Sequence, residues 1–110
     1  MVSISRRAGP VCERFHRAVE LIGKRWTGAV LSSMLSGATR FSEIRECIPG
    51  ISDRLLAERL RELEDECIVE RKVTPARPPL VTYRLTAKGE ALGPVLEAIA
   101  GWSHDWDQKT

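Results

Sequence analysis

The residues whose types and spacing bear on chemistry are basic, and the chemistry they suit is the neutralisation of phosphate. From Arg71 to Lys88 the chain carries Arg71, Lys72, Arg77, Arg84 and Lys88 with no acid among them. The flanking segments are acidic. Glu58 to Glu70 holds six acids against Arg59 and Arg61, and Glu90 onward holds four against Lys109. A net charge of +2 says little about nucleic acid. A local basic stripe is what a phosphate backbone requires. A second set, Arg54, Glu58 and Arg61, is spaced for one face of a helix at 100° per residue. Arginine there can present a fork to guanine O6 and N7 and neutralise phosphate from the same position.

Other chemistries are poorly supplied. Cys12, Cys47 and Cys67 are odd in number and contain no CxxC, which argues against a disulfide framework and against a metal site of usual spacing. The two histidines, His16 and His104, do not complete one. There is no phosphate loop and no nucleophile with a paired base, so neither an enzyme nor a cofactor is expected. At 43% hydrophobic and 29% charged, the chain is neither disordered nor fibrous. No apolar run approaches the roughly 20 residues of a membrane span. Met1 to Pro10 carries Arg6 and Arg7 without an apolar stretch, so no signal peptide is expected and the default location is the cytoplasm.

The elements that must position these residues follow from apolar spacing. Val11, Phe15, Ala18 and Ile22 step by 4, 3 and 4, one helical face, and Gly23 suits its C-terminal cap. Trp26, Val30 and Met34 mark a second helix that stops at Gly37. Phe41, Ile44 and Ile48 mark a short third helix, with Cys47 expected in the core and Pro49-Gly50 forcing a turn. Ser52 is a suitable N-cap, Asp53 favours the positive helix end, and Leu56, Leu60 and Leu63 form the buried stripe of a fourth helix. Arg59 lies nearer that stripe, so its stem is expected to pack and its head to meet an acid. The period then changes to two. Val69 and Val73, then Val81, Tyr83 and Leu85, alternate with polar residues as two strands joined by the stiff segment Pro75 to Pro79. Thr86 caps a last helix that carries Leu92, Val95, Ile99, Trp102 and Trp106. A short helix, a turn, a capped helix and a basic hairpin form the winged helix-turn-helix plan. The expected class is α+β, mostly helical, with a two-stranded β-hairpin wing and extra N- and C-terminal helices. The chain is expected to be one domain over residues 1–110, a length that leaves no room for a second. The helix-turn-helix is expected at about 40–66, the wing at about 68–86, and the outer helices at about 11–23 and 87–107.

The stretches CERF (Cys12–Phe15), LIGKRWTG (Leu21–Gly28), RFSEI (Arg40–Ile44), IPGIS (Ile48–Ser52), LAERLREL (Leu56–Leu63), IVER (Ile68–Arg71), YRLTAKG (Tyr83–Gly89) and VLEAIAGW (Val95–Trp102) occur in this order. As a set they resemble the HxlR-type transcriptional regulators, a winged-helix group of bacterial proteins, over nearly the whole chain. One departure is Cys67, which stands where the family usually has Gly after the recognition helix. A non-glycine at positive φ there costs on the order of 1 kcal/mol.

The resemblance implies a homodimer that binds double-stranded DNA and regulates transcription. Repression is expected, because occupancy of a pseudo-palindromic operator is enough to block polymerase. Arg54 and Arg61 are then the base-reading or phosphate candidates, with Ser52 able to touch a phosphate as well as cap. Glu58 faces a cytosine N4 or pairs with Arg61. Arg40 is placed for phosphate at the start of the helix-turn-helix, and Lys24 and Arg25 lie near a helix end that approaches the backbone. In the wing, Lys72, Arg77 and Arg84 are candidates for phosphate or the minor groove. The same stripe also suits an edge hairpin kept soluble by charge. Trp26, Phe41 and Tyr83 are expected in the core. The outer stripes, through Phe15, Val95, Ile99, Trp102 and Trp106, are expected at the dimer interface. In some members of the family the N-terminal cysteine senses oxidants or electrophiles, which makes Cys12, beside Arg14 and Arg17, the candidate redox residue. A small-molecule or oxidant effector is compatible with this. The competing class is a winged-helix module that binds protein, whose sign would be loss of the basic residues.

Overall fold

The computed structural model describes residues 9–107. The reading of Met1 to Pro10 falls largely on residues outside that range, as does Lys109. The order is α1 (Glu13–Ile22), α2 (Thr27–Leu35), α3 (Phe41–Glu46), α4 (Asp53–Asp65), β1 (Val69–Thr74), β2 (Leu80–Leu85), α5 (Ala87–Glu90) and α6 (Gly93–Trp106).

The core forms where α2, α3, α4 and the base of the hairpin meet. Val30, Leu31 and Met34 of α2 pack with Ile44, Leu56, Leu60, Leu63, Ile68, Val69 and Tyr83. Trp26 and Phe41 are partly buried against this cluster, Phe41 from the apolar face of α3 and Trp26 from the N-cap of α2, one residue before the helix that its spacing predicts it joins. The turn between α3 and α4 uses Gly50 at φ +92°, a conformation that costs glycine nothing. The Ser52 hydroxyl then accepts from the Leu55 amide at 3.1 Å and caps α4.

At the far end, α4 closes in a Schellman motif. The Ile68 amide donates to the Leu63 carbonyl at 2.9 Å and the Cys67 amide to the Glu64 carbonyl at 2.9 Å. Leu63 and Ile68 are both buried beside the joint. Cys67 sits at φ +59°, so the left-handed position persists without the glycine that usually fills it.

The strands pair antiparallel, Val69 opposite Leu85 through Thr74 opposite Leu80. The Tyr83 amide donates to the Thr39 carbonyl at 2.7 Å, which ties the wing to the segment before α3. Gly89 permits the return of the chain, because a Cβ there would collide with the Ile68 carbonyl oxygen.

Two expectations need correction. The last helix is interrupted: Thr86 caps only α5, through its hydroxyl accepting from the Gly89 amide, and α6 begins anew at Gly93. Pro94 is the reason, since inside a continuous helix it would lack its amide bond and crowd the carbonyl of Glu90. Cys47 is exposed rather than in the core. α3 is only six residues long, and Cys47 falls on its C-cap, beyond the face that carries Phe41 and Ile44.

The outer helices lie largely outside the core. Neither α1 nor α6 contains a buried residue. The Cα radius of gyration is 16.1 Å, whereas a compact domain of about 100 residues has about 13 Å. Among the described residues no helix is long and apolar enough to cross a membrane.

Candidate nucleic-acid interface

The buried face of α4 carries Leu56, Arg59, Leu60 and Leu63. Arg54 and Arg61 therefore stand on the opposite, open face. Seven residues apart, they are aligned along the axis to within about 20° and separated by about 10 Å of rise. Neither makes an ion pair among the described residues.

Glu58 does not pair with Arg61. Its carboxylate accepts from Arg59 Nη1 at 3.0 Å. Arg59 is 7% exposed, with its stem in the core and its head on acids, as its position near the apolar stripe requires. Its Nη1 also donates to Glu62, and its Nε donates to the Arg25 carbonyl at 2.8 Å. Lys24 Nζ meets the other side of Glu62 at 2.8 Å. Lys24 is thus engaged with α4, and Arg25 lies over the Trp26 ring, 4.9 Å from its centroid. The Lys24 hydrogen bond, followed by the Arg59 charge and working against partial burial, holds the Glu62 carboxyl below its ordinary range.

Arg40 sits just before α3 with its side chain exposed. Its amide is already used: Glu43 Oε1 accepts from the Thr39 amide at 2.9 Å and the Arg40 amide at 3.0 Å. These two bonds hold Glu43 below the usual carboxylate range. Arg45, which sequence reasoning passed over, bridges the two helices by donating to Asp53 at 2.9 Å. The signal was only an arginine eight residues before an acid, across a turn.

In the wing, Lys72 and Arg77 are exposed and without an ion pair among the described residues. Arg84 differs, because the strand register sets it opposite Glu70 and its Nε donates to that carboxylate at 2.6 Å. Lys88 donates to the Glu66 carbonyl at 2.7 Å. The stripe free of acids along the sequence is therefore partly neutralised in space.

The remaining candidates lie away from these elements. Phe15 on α1 and Val95, Ile99, Trp102 and Trp106 on α6 are all exposed in the protomer, the tryptophans at 67% and 72%. Cys12 is exposed at the N-cap of α1. The Phe15 and Arg14 amides that face it at the start of the helix, aided by the Arg17 charge, lower its thiol pKa. An open groove of about 370 Å³ runs between α2 and α6, lined by Ser32, Leu35, Ser36, Gly93, Leu96, Glu97 and Ala100. Among the described residues no group of three or more His, Cys, Asp or Glu side chains could hold a metal ion.

A short helix, a tight turn, a capped helix with an open arginine face and a two-stranded wing define a winged helix-turn-helix protein. The HxlR-like helix-turn-helix family model matches residues 21–110, and the chain belongs to that family of transcriptional regulators. It is 45% identical over 96 residues to the HTH-type transcriptional regulator YvaP of Bacillus subtilis, covering 87% of this chain and 89% of YvaP. It is 46% identical over 93 residues to the HTH-type transcriptional regulator YodB of the same organism, covering 84% and 83%. Solved structures agree. Quinone-bound YodB superposes with a TM-score of 0.75 at 44% identity, covering 87% of this chain and all of that one. The redox regulator HypR in its reduced form superposes at 0.82 and 34% identity, covering 87% and 95%.

Proposed function

We propose that this regulator is a sequence-specific repressor that binds a pseudo-palindromic operator in double-stranded DNA as a homodimer, the whole chain acting as one domain in the cytoplasm. The observation that carries the proposal is the open face of α4, where Arg54 and Arg61 make no ion pair among the described residues, together with an exposed basic wing. Arg54, near the N-terminus of α4, reads a base edge, and Arg61 neutralises phosphate further along the groove. Arg40, Lys72 and Arg77 hold the backbone on either side, and Ser52 contributes mainly as a cap. Arg84 contacts DNA only by exchanging Glu70 for phosphate. Glu58, held by Arg59, is a secondary candidate. The protein acts by occupancy and carries out no catalysis, so it needs neither metal nor cofactor.

The exposed stripes of α1 and α6 are the dimer surface in this reading. Cys12 is the redox input: its thiol is open, its pKa is lowered, and YodB and HypR have been solved in quinone-bound and reduced forms. Peroxide or a quinone is expected to abolish DNA binding in the wild type but not in Cys12→Ser.

The test is fluorescence anisotropy against DNA flanking the gene, titrated with salt. Tight binding at about 150 mM salt, competed by one site only and with a steep log–log slope, is expected. Arg54→Ala should cost about 1–3 kcal/mol and relax discrimination at one base pair. Arg77→Ala should weaken all sequences alike and reduce the slope by about 1. Weak binding indifferent to sequence, with or without oxidant, refutes the proposal and favours a protein-binding module.

A further inference from the structure

Arg59 belongs to the helix that faces DNA, yet it points the other way. Its Nε bond to the Arg25 carbonyl spans 34 residues, and the Lys24–Glu62 bridge beside it spans 38. Both end on the joint between α1 and α2. That joint is itself fixed. The Gly23 amide donates to Val19 at 2.7 Å and the Thr27 amide to Lys24 at 3.0 Å. Trp26 then turns the chain at φ +78°. The joint therefore follows α1 in direction, and the two ties pass that direction to α4.

We propose that Arg59, with Lys24 and Glu62, sets the spacing and angle between the two recognition helices of the dimer. The inference rests on the dimeric, DNA-binding reading above. α1 carries Phe15 and Val19 exposed one turn apart, with Val11 exposed just before the helix, so it is an arm of the dimer in that reading. The route from one recognition helix to the other then runs through α4, this tie, α1 and their twofold copies. Two half-sites read in the same groove phase lie about 34–36 Å apart, and only a firm connection holds that distance. Arg59 is a positioning residue: it touches the joint and two carboxylates, while Arg54 and Arg61 remain the contacts. A guanidinium suits this role, since its planar fork reaches a carbonyl and two acids from one buried stem.

The experiment uses the full chain. Wild-type protein selects duplexes from a random library. The selected duplex is then compared with a version holding one half-site, and with versions whose half-sites are one base pair closer or further apart. The readout is the ratio of two-half-site affinity to the square of single-half-site affinity, so any loss at the contact face itself divides out. Arg59→Met should lower that ratio by about 5- to 150-fold, the usual range of coupling between sites. It should also flatten the wild-type penalty for altered spacing. Lys24→Met removes only the exposed bridge and should shift both readouts in the same direction by a smaller factor. It decides the matter if Arg59→Met does not fold. A folded Arg59→Met with an unchanged ratio and an unchanged spacing penalty overturns the inference, whether or not its overall affinity falls. If wild type selects no duplex with two half-sites, the dimeric operator reading fails, and this inference fails with it.

Discussion

If α6 forms part of the dimer surface proposed above, replacing Trp102 by alanine is expected to dissociate that dimer while leaving each protomer folded. The indole is 67% exposed, and α6 contributes no buried residue to the core. A fully buried tryptophan covers about 150–250 Å², so about 100–170 Å² of Trp102 awaits a partner. At about 25 cal/mol per Å² this corresponds to about 2.5–4 kcal/mol per protomer. A twofold interface buries both copies, which sets an upper bound of about 5–8 kcal/mol for the double loss. Association converts only part of buried area into affinity, and a retained effect of about 3 kcal/mol raises the dimer Kd by about 100-fold. Sedimentation equilibrium across protein concentration measures that Kd, and far-UV circular dichroism checks that the helices persist. A Kd within about threefold of wild type, in a protein of unchanged helicity, would refute the reasoning and place the interface elsewhere.

Three further outcomes are expected. Cys67→Gly relieves the left-handed strain at φ +59° and should stabilise the chain by about 1 kcal/mol, a rise of about 4–8 °C in Tm by calorimetry. A fall in Tm would mean that the Cys67 side chain makes contacts that outweigh the strain. Glu70→Gln releases Arg84 and removes a negative charge from the wing. DNA affinity should rise with a steeper salt slope and Tm should hardly move, since the pair is exposed; unchanged binding would take the wing off the DNA. For Cys12, the thiolate is the reactive form and amide hydrogen bonds stabilise it, so the midpoint of its alkylation rate against pH should lie below that of the urea-unfolded chain. Reactivity should be lost as pH falls through that lower midpoint, and coincident midpoints would remove the redox assignment's chemical basis.

Much of the fold was legible because its core helices and strands announce their periods. Leu56, Leu60 and Leu63 step as a helix, Val81, Tyr83 and Leu85 as a strand, and Pro49-Gly50 and Pro75 to Pro79 punctuate them. The break at Leu92 was hidden because Val95, Ile99, Trp102 and Trp106 keep helical spacing on their own, and the stop comes from a single proline upstream of them. Cys47 was misplaced because a six-residue helix offers too few turns to say which side its last residue takes. The side chains of the interface were less legible than its elements. Arg59 could be assigned an acid from its position near the stripe. That the acids were Glu58 and Glu62, and that Lys24 and the Arg25 carbonyl closed the set, depended on bringing the α1–α2 joint onto α4.

Those long-range pairings decide the electrostatics of the face proposed to meet DNA. Arg59, Lys24, Arg45 and Arg84 all end on carboxylates, so they add little to the field in front of α4. Arg54, Arg61, Lys72 and Arg77 carry no such partner among the described residues. Glu58 lies about 40° around the helix from Arg54, close enough for a free carboxylate there to repel the same phosphates. The inward turn of Arg59 answers this: Nη1 reaches Glu58 at 3.0 Å from a nearly buried stem and offsets that charge without occupying the open face. A lysine at the same position would have one compact donor group for all three acceptors, whereas the arginine gives Nη1 to Glu58 and Glu62 and keeps Nε for the Arg25 carbonyl. In the proposed reading, one arginine turned away from the DNA therefore does two things for those that contact it. It fixes the direction of their helix, and it subtracts the negative charge beside them.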